Sequence, residues 1–186
     1  MARIVVTEFV SIDGVMEAPG GEPGYRHGGW VMGFMGADEA SFKLGEVRDA
    51  HAHLLGRVTY ESFAGAWPTR TGEFADKINA MPKYVVSSTL RNPTWNNTHV
   101  LRGNVAEEVA RLKQRESGVL LVAGSRTLVH GLLELNLVDE IRLMVFPVVL
   151  GSGRRIFPET PRKTVLRLTD VHRFNSGVLV QTYVTG

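Results

Sequence analysis

Val119-Leu120-Leu121-Val122-Ala123 is apolar at every position and stops at Gly124-Ser125. A strand without polar alternation must be covered on both faces, as a central strand of a parallel sheet is. The glycine turns the chain into a helix predicted over 126–133. The helix predicted just before this strand, over 105–115, has the clearest end signals. Asn104 and Glu107 have capping-box spacing, Val105, Val109 and Leu112 form one apolar stripe, Lys113 and Arg115 lie in the last turn, and Gly118 ends it.

The rest of the chain has the same texture. Strands are predicted over 4–10, 53–56 and 83–86, and helices over 37–52 and 73–80, with a short helix between them that Thr59 would cap. His51 falls at the end of the first helix on this reading. The last third is strand-like over 139–150, 165–174 and 178–184, and Asn175-Ser176-Gly177 supplies a hairpin turn. Alternating β and α units followed by a hairpin predict one α/β domain over 1–186. Its sheet is mostly parallel, with helices on both faces and antiparallel strands at one edge.

Composition removes several function classes. With 186 residues, 44% apolar and 22% charged, the chain is neither disordered nor a low-complexity repeat. The 21 Lys and Arg against 19 Asp and Glu leave a formal charge of +2, too small a surplus for a nucleic-acid or anionic-membrane surface. Cysteine is absent, so thiolate catalysis and disulfides are excluded and a reducing cytoplasm is permitted. Glu8 and Asp13 interrupt the apolar stretch from Ile4 to Val15, which therefore reads neither as a signal peptide nor as a membrane span. His51 and His53 have no third ligand nearby, so no metal site is expected.

Seven of the eleven residues from Pro19 to Gly29 are Gly or Pro, a long loop of the kind that serves as a lid. Trp30, Phe34, Phe42 and Trp67 read as pocket wall and core. Chemistry is expected at three strand ends, because open α/β sheets bind ligands beyond the carboxyl ends of their strands. Gly56-Arg57-Val58-Thr59 and Ala123-Gly124-Ser125-Arg126-Thr127 each combine glycine, a cation and a helix start, and Ser87-Ser88-Thr89 adds three hydroxyls. Together they suit a ligand with several phosphates, a dinucleotide or a nucleoside polyphosphate. No G-x-x-x-x-G-K-[ST] stretch occurs, and Gly151-Ser152-Gly153 has Ile156 where a Rossmann fingerprint needs its third glycine. The stretch 151–155 reads as a loop.

Several segments occur in an order and spacing that resemble the dihydrofolate-reductase-like superfamily. They are Ser11-Ile12-Asp13-Gly14, Leu55-Gly56-Arg57-Val58-Thr59-Tyr60-Glu61, Lys83 to Leu90, Ala123-Gly124-Ser125, Leu137-Val138-Asp139-Glu140 and Pro147 to Gly153. The branch it is most similar to contains the C-terminal reductase domain of the bacterial bifunctional riboflavin-biosynthesis deaminase/reductase. The resemblance implies an NADPH site. Gly56, Arg57 and Thr59 match the element that reads the adenosine 2′-phosphate and faces the pyrophosphate. Ser87 and Ser88 match a hydroxyl pair on the adenosine side, and Gly124, Ser125, Arg126 and Thr127 match the pyrophosphate turn. It further implies catalytic-side roles for Asp13, near nicotinamide and substrate, and for Asp38, where a pteridine-binding acid stands. An NADPH-dependent reductase of a pterin-like or aminopyrimidine substrate is the leading expectation, as a homodimer in which the strand 141–150 pairs or packs across a two-fold axis. A non-catalytic nucleotide-binding module is the second. A hydrolase built on Ser125 with His130 or His172 and Asp139 is the third, and it lacks the Gly-x-Ser-x-Gly glycines.

Overall fold

A computed structural model describes residues 1–157, 159–160 and 163–185. Eight strands form one sheet in the order β4-β3-β2-β5-β1-β6-β8-β7. β1 (Arg3–Ser11), β2 (Ala50–Gly56), β3 (Lys83–Val86), β4 (Thr98–Leu101), β5 (Val119–Ala123) and β6 (Glu140–Phe146) run parallel, and β7 (Leu166–Arg173) and β8 (Leu179–Thr185) add the antiparallel edge. The helices are α1 (Ala37–Asp49), α2 (Arg57–Ala66), α3 (Glu73–Ala80), α4 (Val105–Arg115) and α5 (Arg126–Glu134). The expected α/β architecture is the observed one.

The unalternated run 119–123 occupies the position its composition requires: β5 pairs with β1 on one side and β2 on the other. One face of the sheet packs Ile4, Val6, Leu120 and Val122 against Val109 and Leu112 of α4 and Leu128, Val129 and Leu132 of α5. The opposite face packs Val5, Leu55 and Val85 against Val47 of α1, Tyr60 of α2 and Ile78 of α3, with Phe63 and Trp67 alongside. A third cluster joins Phe146, Phe174 and Val180 to Val31, Trp30, Phe34 and Phe42, so three of the four aromatics read as wall and core pack there and Trp67 packs in the second cluster.

Two boundaries differ from expectation. The first helix ends at Asp49, not at 52, because Ala50 is extended (φ −70°, ψ 132°) and already pairs with Val119. Alanine favours helix, but the parallel ladder with β5 outweighs that preference. His51 therefore lies in β2, exposed, 3.1 Å from Glu116. The strand expected over 139–150 stops at Phe146, and the chain to Leu150 leaves the sheet. β4 was not anticipated: Thr98–Leu101 has neither clear alternation nor an apolar run, and pairing with β3 makes it a strand.

His53 is buried in β2, and neither ring nitrogen has a partner; the ring stands edge-on to Phe63 at 6.4 Å. Burial, helped by the charges of Lys83 and Lys43, pushes its pKa down to about 4. The unfolded chain binds this proton near pH 6.5 and the folded one does not, so stability is expected to fall as pH drops from 6.5 to about 4. Thermal unfolding across that range should show the fall, and His53→Leu should flatten it.

Candidate nucleotide-binding site

The three predicted strand ends belong to adjacent strands β3, β2 and β5, so their loops meet at one rim of the sheet. The turns after β2 and β5 are locked together: the Gly56 peptide N–H donates to Ser125 Oγ at 2.7 Å. Gly124 (φ +74°) and Ser125 (φ +71°) are both left-handed, which brings the β5 backbone against α2. A Cβ on Gly124 would lie 3.1 Å from Thr59 Cγ2, so that backbone position needs glycine both for its φ and for its space. Thr59 is not a cap, as the sequence suggested. Gly56 caps α2, and Thr59, in the helix's first turn, fills the space facing Gly124.

Beside this double turn lies a groove of about 440 Å³ lined by Arg57, Ser87, Ser88, Thr89, Arg102 and Gly103, among others. Ser87 is buried, and its Oγ accepts from the peptides of Thr89 (3.2 Å) and Leu90 (2.9 Å), so its first task is to shape the turn. Ser88 is exposed at the groove. Arg57 pairs with Glu61 one turn on, at 2.8 Å. Arg102 donates to the carbonyl of Leu90 at 2.6 Å. The sequence reading missed Arg102, because its signal, a cation and glycine after a strand, depended on recognising β4.

Arg126 and Thr127 are exposed in the first turn of α5. Arg126 Nε donates to the carbonyl of Arg155 at 3.2 Å, turning this guanidinium toward the loop 151–155.

That loop is clasped to the Gly/Pro segment. Tyr25 OH donates to the Ser152 carbonyl at 2.6 Å, and Glu17 accepts from the Arg154 peptide at 2.8 Å. Gly153 (φ +123°) allows the closest approach, since a Cβ there would lie 2.6 Å from Val15 Cγ1. Asp13 is a brace within the clasp: its carboxylate accepts from Ser11 Oγ (2.6 Å) and from the peptides of Leu150 (3.1 Å) and Gly151 (2.9 Å). The Ser11 bond, with those peptides, lowers its pKa to about 2. Asp13 is therefore a fixed anion and not an acid at neutral pH.

Asp38 is exposed at the start of α1. The buried carboxylate there is its neighbour Glu39, which accepts from the Gly36 peptide at 2.9 Å and from Ser176 in the β7–β8 hairpin. Helical spacing alone did not distinguish the two acids. The hydrolase grouping does not assemble. Ser125 Oγ holds the Gly56 peptide, His130 lies 2.8 Å from the Ile156 carbonyl, His172 stacks on Phe42, and Asp139 pairs with Lys113. Among the described residues no group of three His, Cys, Asp or Glu could hold a metal ion, and no helix is long and apolar enough to cross a membrane.

A mostly parallel eight-stranded sheet with an antiparallel edge, and a double glycine turn at its carboxyl rim, make up a dihydrofolate-reductase-like fold. Residues 2–180 match the model of the RibD C-terminal domain, and the chain belongs to that family. It is 28% identical to the Bacillus subtilis protein YyaP over 186 residues, covering 97% of this chain and 94% of YyaP. A putative riboflavin biosynthesis protein from Shewanella superposes with a TM-score of 0.75 at 18% identity, over 100% of this chain and 99% of that one. Dihydrofolate reductase from Enterococcus faecalis, complexed with NADP(H), superposes with a TM-score of 0.59 at 16% identity, over 99% and 96%. The fold is thus of reductase type.

Proposed function

We propose that the protein is an NADPH-dependent reductase of a small heterocyclic substrate, pterin-like or aminopyrimidine in character. The observation that carries this reading is that Arg57, which lines the groove with Arg102 and Ser88, directly follows Gly56 of the double turn. Two guanidinium groups and a free hydroxyl suit a phosphate monoester such as the 2′-phosphate. A turn with no room for a Cβ, followed by the first peptides of α5, suits a pyrophosphate. Gly56, Arg57, Thr59, Ser87, Ser88, Gly124, Ser125, Arg126 and Thr127 would hold the cofactor, which supplies the hydride when bound. The clasped segment 17–30 would exclude water from the reacting centre. Asp13 would act by fixing the clasp, and Asp38, being exposed, would meet substrate only at the rim of the cleft.

Fluorescence titration with NADPH and NADH, followed by NADPH oxidation with reduced-pterin and aminopyrimidine candidates, tests the reading. Absence of saturable NADPH binding at millimolar concentration overturns it. Binding without turnover of any such substrate would favour a non-catalytic nucleotide-binding module. The placement of Asp13 as a brace and Asp38 on the surface supports that second reading.

The homodimer is also a proposal. Of the two expected modes, pairing or packing across a two-fold axis, β6 cannot pair, because it is flanked by β1 and β8. The edge hairpin would serve instead, because Leu168 and Val171 are about half exposed on one face of β7. Sedimentation at several concentrations should give a dimer, and Leu168→Glu should shift it to monomer. A wild-type monomer at every concentration would exclude the assembly.

A further inference from the structure

β1 and β5 pair from Arg3↔Val119 to Thr7↔Ala123 and then part. β5 turns away through Gly124, while β1 continues beside β6 with Glu8 opposite Leu143. Glu8 is thus the first β1 residue beyond the junction, where the two strands open into the rim. It shares the sheet face of Val6 and Val10, amid the apolar core beneath α5. This is a poor place for a carboxylate. Glu8 is 4% exposed, and its Oε1 is buried with no hydrogen-bond partner. Thr7 pairs with Ala123, so the Gly124 backbone is the neighbour of Glu8 across the junction, and that backbone lowers the Glu8 pKa. Lys43 and Glu46 of α1 act on it through the sheet, since their own contacts lie on the opposite face at Thr7.

Gly124 is wedged against Thr59, and its neighbour Ser125 accepts from the Gly56 peptide. A buried carboxyl beside Gly124 therefore lies next to the contacts that connect both helix starts. We propose that Glu8 is a positioning residue for this turn, and that its gain or loss of a proton sets how well the turn receives a pyrophosphate. The proposal rests on the nucleotide-binding reading above.

Burial pushes the Glu8 pKa up to about 8, against the lowering effects of Lys43 and the Gly124 backbone, so the neutral acid predominates at pH 7. Above that range Glu8 ionises, and its negative charge sits directly beneath an anionic ligand. Cofactor binding should therefore weaken as pH rises, and bound cofactor should raise the Glu8 pKa by linkage.

The experiment is NADPH titration of wild type and Glu8→Gln from about pH 6.5 to about pH 9.5, where a coupling of one pKa unit weakens wild-type binding roughly five- to tenfold. Glu8→Gln, neutral throughout, should show no such loss. This comparison is needed because Lys83, whose pKa burial lowers to about 8, titrates in the same range. Parallel pH profiles for the two proteins overturn the proposal. No binding by either protein at any pH overturns the nucleotide-binding reading as well, which separates the two failures. Should Glu8→Gln fail to fold, carbon NMR of the wild-type Glu8 carboxyl decides. Its pKa should rise when NADPH binds, and the Gly124 amide shift should follow its titration in the free protein. An unmoved pKa or a silent Gly124 amide refutes the role.

Discussion

Arg57→Ala is expected to weaken NADPH binding by about 10- to 150-fold while leaving NADH binding nearly unchanged. A charge-assisted contact to a phosphate monoester contributes about 1.5–3 kcal/mol, and NADH has no such group to lose. Arg57 is well placed for this selectivity. It lies at the first helical residue after Gly56, lines the groove, and among the described residues is otherwise engaged only by Glu61 one turn away. That exposed pair contributes little to folding, so the variant should unfold near the wild-type temperature. Arg102→Ala should produce a smaller loss of the same preference, because its guanidinium is also tied to the Leu90 carbonyl. Dissociation constants for both nucleotides, measured on each variant, check the assignment. An unchanged NADPH-to-NADH ratio in Arg57→Ala would remove the 2′-phosphate contact.

Phe146→Ala is expected to cost about 3–5 kcal/mol of stability, the range for removing a fully buried aromatic ring. Phe146 has no solvent exposure, and three aromatic rings stand edge-on or steeply inclined to it: Phe9 and Trp30 at 5.4 Å and Phe34 at 5.9 Å. Trp30 and Phe34 belong to the segment between β1 and α1, so this one side chain holds the end of the Gly/Pro loop to the sheet. For a chain of this length the melting temperature should drop roughly 6–20 °C. Proteolysis within residues 17–36 should accelerate at the same time, since the loop loses its apolar anchor. Thermal unfolding and limited proteolysis measure the two effects. A destabilisation under about 1 kcal/mol would mean that the third aromatic cluster does not secure the loop.

Much of the framework was legible because local and tertiary preferences agree. The apolar run of β5, the capped helix at 105–115 and the helix at 73–80 stand where their residues place them. Asn104 Oδ1 accepts from the Glu107 peptide at 3.3 Å, as its spacing predicts. Legibility failed where a long-range partner decides. Ala50 to Ala52 leave the helix only because β5 offers a ladder. Thr98–Leu101 becomes a strand only because β3 pairs with it. Since Arg102 follows that strand, the second arginine of the groove went unseen for the same reason.

By itself the sequence determined an α/β chain with glycine turns after β2 and β5 and cations beside both helix starts, because periodicity and turn chemistry act within a few residues. It could not determine which acids face inward. Asp13 becomes a brace because the peptides of Leu150 and Gly151 arrive from 137 and 138 residues away. Glu39 is buried in place of Asp38 because Ser176 meets it from the far hairpin. Glu8 lies beside Gly124 with one oxygen unpartnered because β1 and β5 part at that position. The fate of a carboxyl depends on desolvation and on donors brought close by folding, and only the tertiary structure supplies either.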